Sequence, residues 1–356
     1  MSKIIKIIIG IIVLVISLIL LLFSYYLYQL SPTSSDKTII EVEIPKGSTA
    51  SKAASILKAN HLIRDVIAFK VYVKIHNIET ISYGIYELNR AMGTKQIINI
   101  LSGGNTKDTS IKIMFSEGKN MRRIAKTIAL NTNNTEEDVF ALLNDGEYID
   151  SLIEEYWFLT DEIKNDAIYY PLEGYLAPNT YQFASKNVTV DEIFRRMLNQ
   201  TGKILTPYKD QLTDYTIHEY LTFASVVESE GLNDSDRAKI AGVFYNRLDL
   251  GMALESCVTG YYALKVDMGS QALSLTYLRS YVNQYNTYGP NMAGKLPVGP
   301  VSNPGVASIE ATINPEDTDY LYFLSDKTKK TYFSKTYSEH LAKQAELKAA
   351  DLWLEY

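Results

Sequence analysis

Cysteine occurs once in this chain, as Cys257, so no intrachain disulfide can form and the fold must rest on its core even in an oxidising, exported compartment. Histidine is nearly as scarce. His61, His76, His218 and His340 are scattered without metal-ligand spacing, so no metal and no other cofactor is expected. An excess of basic charge is also missing: the formal net charge of -6 argues against nucleic acid as a partner. Finally, SYYLYQLSPTSSD, which follows the first apolar run, lacks the A-x-A type of pattern at which a signal peptide is cut.

That apolar run is the first feature present. It extends from Ile7 to Leu30, and roughly 20 apolar residues suffice to cross a bilayer. A membrane span and a signal peptide both fit such a run; its length and the missing cleavage pattern favour an uncleaved single-pass anchor over 7–30. Lys3 and Lys6 place the tail 1–6 in the cytoplasm, and Tyr25, Tyr26 and Tyr28 suit the outer interface, so the body is expected outside the cell membrane.

Residues 31–38 (SPTSSDKT) read as a polar tether. A repeat follows. EIPKGSTASKAASIL (43–57) and MFSEGKNMRRIAKTI (114–128) share a strand, a turn at Gly47 or Gly118, and a helix with Ala54 or Ala125 and Leu57 or Ile128 in equivalent positions. YGIYEL (83–88) supplies a second strand to the first unit, and GTKQIINILSGG (93–104) a helix ended by glycines. The expected divisions are a module over 39–105, a second small α+β module over 106–170, and a third region over 171–356 that is mainly helical. There, a helix is expected over Val190–Leu205, another ending near Gly231, and a third capped by Asp234 or Ser235 with Ile240, Val243, Phe244 and Leu248 on its buried face. The stretch 286–305, rich in proline and glycine, is constrained but irregular, and a long loop of this kind is more often functional than decorative. YLYFLS (320–325) and TYFS (331–334) read as a hairpin, and an amphipathic helix, SEHLAKQAELKAADLWLEY, closes the chain.

One acidic residue stands out. In IHEYLTFASVVESEG, Ile217, Leu221 and Ala224 line one helix face, and Glu228 falls on it, roughly 20° around the wheel from Ile217 and Leu221. A carboxyl buried there, near the negative end of the helix dipole, is expected to stay protonated and to suit proton donation. The plainer reading is that a carboxylate in a last helical turn pairs with a nearby Lys or Arg. Glu230 lies on the margin of that face and is the lesser candidate.

EGYLAPNTY (173–181), ASVVESEG (224–231), AGVFYNRLDLGMALES (241–256), NTY (286–288), LPVGPVSNPGVAS (296–308) and YLYF followed by YFSKTYSEH together resemble, in order, the blocks of the YceG-like (MltG) endolytic murein transglycosylases. The anchor and two LysM-like N-terminal modules fit the same resemblance. It implies an α+β body with a lysozyme-like catalytic domain that cuts peptidoglycan glycan strands between N-acetylmuramic acid and N-acetylglucosamine, leaving a 1,6-anhydro end. Peptidoglycan synthases are implied as partners. Glu228 matches the family's catalytic acid, which protonates the glycosidic oxygen and, once ionised, can take the proton of the sugar's own C6 hydroxyl. Glu173, Tyr181, Asn246, Tyr288 and Asn303 match family blocks and are the candidate substrate contacts.

The chain departs from the family pattern at Cys257 and Val258, where an Asp-Pro pair is usual, at Asn179, where an acid is common, and at Ala177, where an aromatic is. Those changes put accessory contacts in doubt and keep open a catalytically silent wall-binding scaffold. A hydrolytic muramidase that recruits Glu173 or Glu230 to activate water is a further alternative. Cys257 is expected to be structural.

Overall fold

The structure, a computed structural model, describes residues 3–78, 80–103 and 110–353. The chain divides into two compact units, Met1–Ser110 and Ile111–Tyr356, and among the described residues it mixes helices with three two-stranded antiparallel sheets.

The first unit opens with helix α1 (Lys3–Gln29), whose Gly10–Gln29 part is long and apolar enough to cross a membrane. Strand β1 (Ile40–Ile44) follows, then α2 (Ala50–Ala59), α3 (Val66–Ile75), β2 (Gly84–Leu88) and α4 (Thr94–Ser102). β1 and β2 pair antiparallel with Val42 opposite Tyr86, and both strands turn alternate residues inward. Ala54, Leu57, Ile97 and Leu101 complete this core beneath them. The helix expected over 93–104 ends at Ser102, and Gly104 lies outside the described residues.

The second unit begins with β3 (Ile111–Phe115) and continues through α5 (Met121–Asn131), α6 (Glu136–Leu143), α7 (Gly146–Glu155), β4 (Asn179–Phe183) and α8 (Val190–Leu205). The repeat is visible in both units. Each has a strand, a glycine in the left-handed region (Gly47, φ +78°; Gly118, φ +68°), and a helix capped by the side chain of Thr49 or Asn120. The second copy takes its partner strand from afar: β3 pairs with β4, with Ile113 opposite Tyr181. The two strands of one sheet therefore stand on either side of residue 170. The expected boundary between 105 and 106 lies outside the described residues.

Next come α9 (Ile217–Glu230), α10 (Asp234–Asp249), α11 (Cys257–Ala263), α12 (Leu275–Ser280) and α13 (Val306–Ile313), then β5 (Tyr322–Ser325), β6 (Thr331–Ser334) and α14 (Tyr337–Ala349). Thr216 and Glu219 cap each other's backbone at the start of α9. This helix corrects the single apolar stripe expected of it. Leu221 and Ala224 enter one hydrophobic cluster, Phe223, Val226 and Val227 a second, so the helix is buried on more than one side until its last turn. Asn233 stands at the N-cap position of α10 without a side-chain capping hydrogen bond, and Asp234, an expected cap, is the first residue of the helix. The closing helix is shorter than expected: it stops at Ala349, Asp351 takes a positive φ, and Trp353 bridges back to Asp326, while 354–356 lie outside the described residues.

Candidate active site

α13 packs against both α9 and α10, and this brings the end of α9 to the start of α13. Glu228 sits in that last turn of α9. One carboxylate oxygen, Oε1, meets Arg237 Nη2 of α10 at 3.2 Å, and the other accepts from Gly305 N at 3.0 Å and from Ser308 Oγ at 2.7 Å. Arg237 also donates through Nη1 to Ser308 Oγ at 2.7 Å and through Nε to Asp234 Oδ1 at 3.0 Å. The sequence expectation of apolar surroundings is thereby corrected. Arg237 and the N-terminal turn of α13 are both electropositive, so the cradle matches an anionic carboxylate, in line with the plainer reading of a paired acid.

Glu230, two residues on, points elsewhere. Its carboxyl accepts from Ser256 Oγ at 2.6 Å, and burial raises it above its ordinary value, with the Ser256 hydroxyl and Arg247 acting against. Burial thus acts on the carboxyl that the helical wheel made the lesser candidate.

Sequence reasoning missed Glu117. It precedes Gly118, the turn glycine of the second repeat, and Gly118 lies against Glu228: a Cβ there would stand 3.6 Å from Glu228 Cγ. The Glu117 side chain is exposed at its surface, and its carboxyl fills the space a Cβ on Gly305 would take. Desolvation and then the charge of Glu228 raise its carboxyl above the ordinary value; Arg237 opposes and Asp234 adds to the rise. The signal in the sequence was a carboxylate beside an obligatory turn.

A belt of hydrogen bonds fixes this turn. Asn303 N donates to Lys119 O at 3.0 Å, Gly118 N donates to Asn303 O at 2.9 Å, and Asn303 Nδ2 reaches both Lys119 O at 3.0 Å and Glu173 Oε1 at 2.9 Å. Glu173 is fully enclosed and also accepts from Met121 N at 2.8 Å and Tyr262 Oη at 2.9 Å. Burial pushes its carboxyl up to about 7, although these donors and Arg122 pull it down.

The expected contact residues fall in different places. Glu173 and Asn303 are buried behind the Glu117–Lys119 turn, each with internal partners. Tyr181 donates its hydroxyl to Ala177 O at 2.7 Å, and Asn246 donates to Thr318 O at 2.6 Å and Tyr320 O at 3.0 Å. Tyr288 is half-buried, its hydroxyl 3.4 Å from Cys257 Sγ. Cys257 is unpaired, and burial raises its thiol. His218 is a packing residue, bonded at its ring nitrogens to Tyr175 Oη and Val298 O, both at 2.9 Å. Two hollows, of about 510 and about 630 Å³, flank Val298 and Leu296; Glu228 lines neither.

Two carboxyls meet at a helix junction, one cradled by donors and one exposed, an arrangement chemically able to transfer protons, with its groups drawn from the segments around Glu117, Glu228 and Gly305. Residues 42–346 match the YceG-like family, and the chain belongs to it. It is 37% identical over 323 residues to the endolytic murein transglycosylase of Bacillus subtilis (strain 168), covering 89% of this chain and 88% of that protein. It is 30% identical over 338 residues to the endolytic murein transglycosylase of Streptococcus pneumoniae serotype 2 (strain D39), covering 89% of this chain but 60% of that protein. A crystal structure of a YceG-like protein from Listeria monocytogenes superimposes with a TM-score of 0.61 at 38% identity, covering 86% of this chain and 99% of the other.

Proposed function

We infer that this chain is an endolytic peptidoglycan lytic transglycosylase that cuts glycan strands between N-acetylmuramic acid and N-acetylglucosamine, leaving 1,6-anhydro ends. The observation that carries this reading is 37% identity, over 89% of the chain, to a protein named for that activity. The site is compatible with it. Glu228 is the catalytic carboxyl in this proposal, and in the minimal route it protonates the glycosidic oxygen and then takes the proton of the C6 hydroxyl. The reaction is proton transfer with an internal nucleophile and calls on no cofactor.

The helix α1 anchors the enzyme in the cell membrane, with Lys3 and Lys6 on the cytoplasmic side and the body outside, facing newly made strands near peptidoglycan synthases. The repeated strand-turn-helix units act as LysM-like glycan-binding modules, and a lysozyme-like catalytic domain begins near residue 171. Among the proposed contact residues, Tyr288 keeps exposed surface for a sugar ring; the internal hydrogen bonds of Glu173, Tyr181, Asn246 and Asn303 support roles in holding the walls in shape. The donors already engaged by Glu173 and Glu230 weigh against recruiting either to activate water.

Full-length protein in detergent micelles, incubated with glycan strands, is expected to release anhydro-ended fragments by mass spectrometry, and Glu228→Gln to release none. Reducing ends from the wild type, or undiminished anhydro products from Glu228→Gln, reject the reading.

A further inference from the structure

Cleavage by the sugar's own C6 hydroxyl needs two proton movements, one to the departing oxygen and one from the attacking hydroxyl. A single carboxyl can perform both only if it begins protonated. The partners of Glu228 are all donors. Its two oxygens receive a guanidinium N–H, a hydroxyl and a backbone N–H, and its side chain is only 6% exposed.

Glu117 differs in every respect. Among the described residues it accepts no hydrogen bond and joins no ion pair, and its side chain reaches solvent. The two carboxyls are nonetheless neighbours across one residue: Gly305 gives its N–H to Glu228, while Glu117 occupies the place of the missing Gly305 side chain. The charged groups facing Glu117 are Glu228 from α9 and Arg237 and Asp234 from α10; the first turn of α13 adds no acid.

We propose that this chain replaces the minimal single-carboxyl route given above with a divided one, Glu117 donating to the leaving oxygen and Glu228 only accepting from the C6 hydroxyl. This rests on the transglycosylase reading above. The C1–O4 bond breaks with its electron pair passing to O4, which takes the proton of Glu117. The C6 oxygen bonds to C1, and its proton passes to Glu228. A proton then returns from Glu228 to Glu117 and both groups recover their starting states. The upward shift of the Glu117 carboxyl, driven first by desolvation and then by the charge of Glu228, agrees in direction with the role of donor.

An aryl leaving group needs no proton, and this separates the roles. Full-length Glu117→Gln and Glu228→Gln in micelles are compared with wild type on glycan strands and on the 4-nitrophenyl β-glycoside of an N-acetylglucosaminyl-N-acetylmuramic acid disaccharide. Glu117→Gln is expected to lose about 10²–10⁴-fold on strands, to retain near wild-type turnover of the aryl glycoside, and to lose the basic limb of the kcat/KM pH profile. Glu228→Gln is expected to fail on both. Wild-type strand cleavage and an unchanged pH profile in Glu117→Gln overturn the proposal alone, as does an equal loss on both substrates. Absence of anhydro product from wild type overturns the transglycosylase reading and this proposal with it.

Discussion

Arg237 and Glu228 form an ion pair of 3.2 Å in which the side chains are only 8% and 6% exposed. Enclosing two charges costs desolvation that their attraction roughly offsets, whereas removing one partner leaves the other stranded. Arg237→Met is therefore expected to destabilise the body by about 3–5 kcal/mol, and Arg237→Met with Glu228→Gln together to recover most of that loss. Urea denaturation of the four forms gives the cycle; additive losses would show that the pair is not coupled.

Glu173 sets a pH dependence. Its carboxyl rises from 4.5 to about 7 on folding, so between those values the folded state holds a proton that the unfolded state has lost. Stability from this group is full below the unfolded value, falls as pH climbs towards 7, and is then flat; its size is at most about 3 kcal/mol. Denaturant midpoints at pH 4.5, 6 and 8 should decline in the wild type more steeply than in Glu173→Gln. Parallel declines would remove Glu173 as the source.

Gly305 separates chemistry from stability. Its φ of -76° is open to any residue, so an added methyl brings no backbone strain, and the three atoms nearest to it all belong to the movable Glu117 side chain. Gly305→Ala is expected to keep the melting temperature or raise it by an amount equivalent to about 0.4–1 kcal/mol, while strand cleavage falls towards the level of Glu117→Gln. Unchanged cleavage would show that the position of Glu117 is immaterial.

Cys257 offers a probe of the surface near Glu230. Burial raises the thiol, and Tyr288 covers its sulfur at 3.4 Å, so reaction with Ellman's reagent at pH 7.5 should run at least about tenfold slower than for free cysteine and recover in urea. A folded-state rate equal to free cysteine contradicts that cover.

Periodicity and turn chemistry carried much of the architecture. The repeat around Gly47 and Gly118, the helix over 190–205 and the hairpin of β5 and β6 are local patterns that packing did not override. The partner of β3 was not local, and its pairing with β4 could not be read from either segment. At the candidate site, the helical wheel singled out Glu228 but not its neighbours, because Arg237, Ser308 and Gly305 reach it only through the packing of α13 on α9 and α10. The same gap hid the polar partners of both Glu228 and Glu230, two residues apart in sequence and turned to different walls. Glu117 escaped notice because a repeat reads first as scaffold.

The cradle of Glu228 draws on the N-terminal turn of α13, and the turn carrying Glu117 is tied to Asn303. Both attachments come from the final fifth of the polypeptide. A chain cut short before that region would lack Gly305, Ser308 and Asn303 together, so Glu228 would lose two of its three hydrogen-bond donors and the Glu117 turn its tie at the same moment.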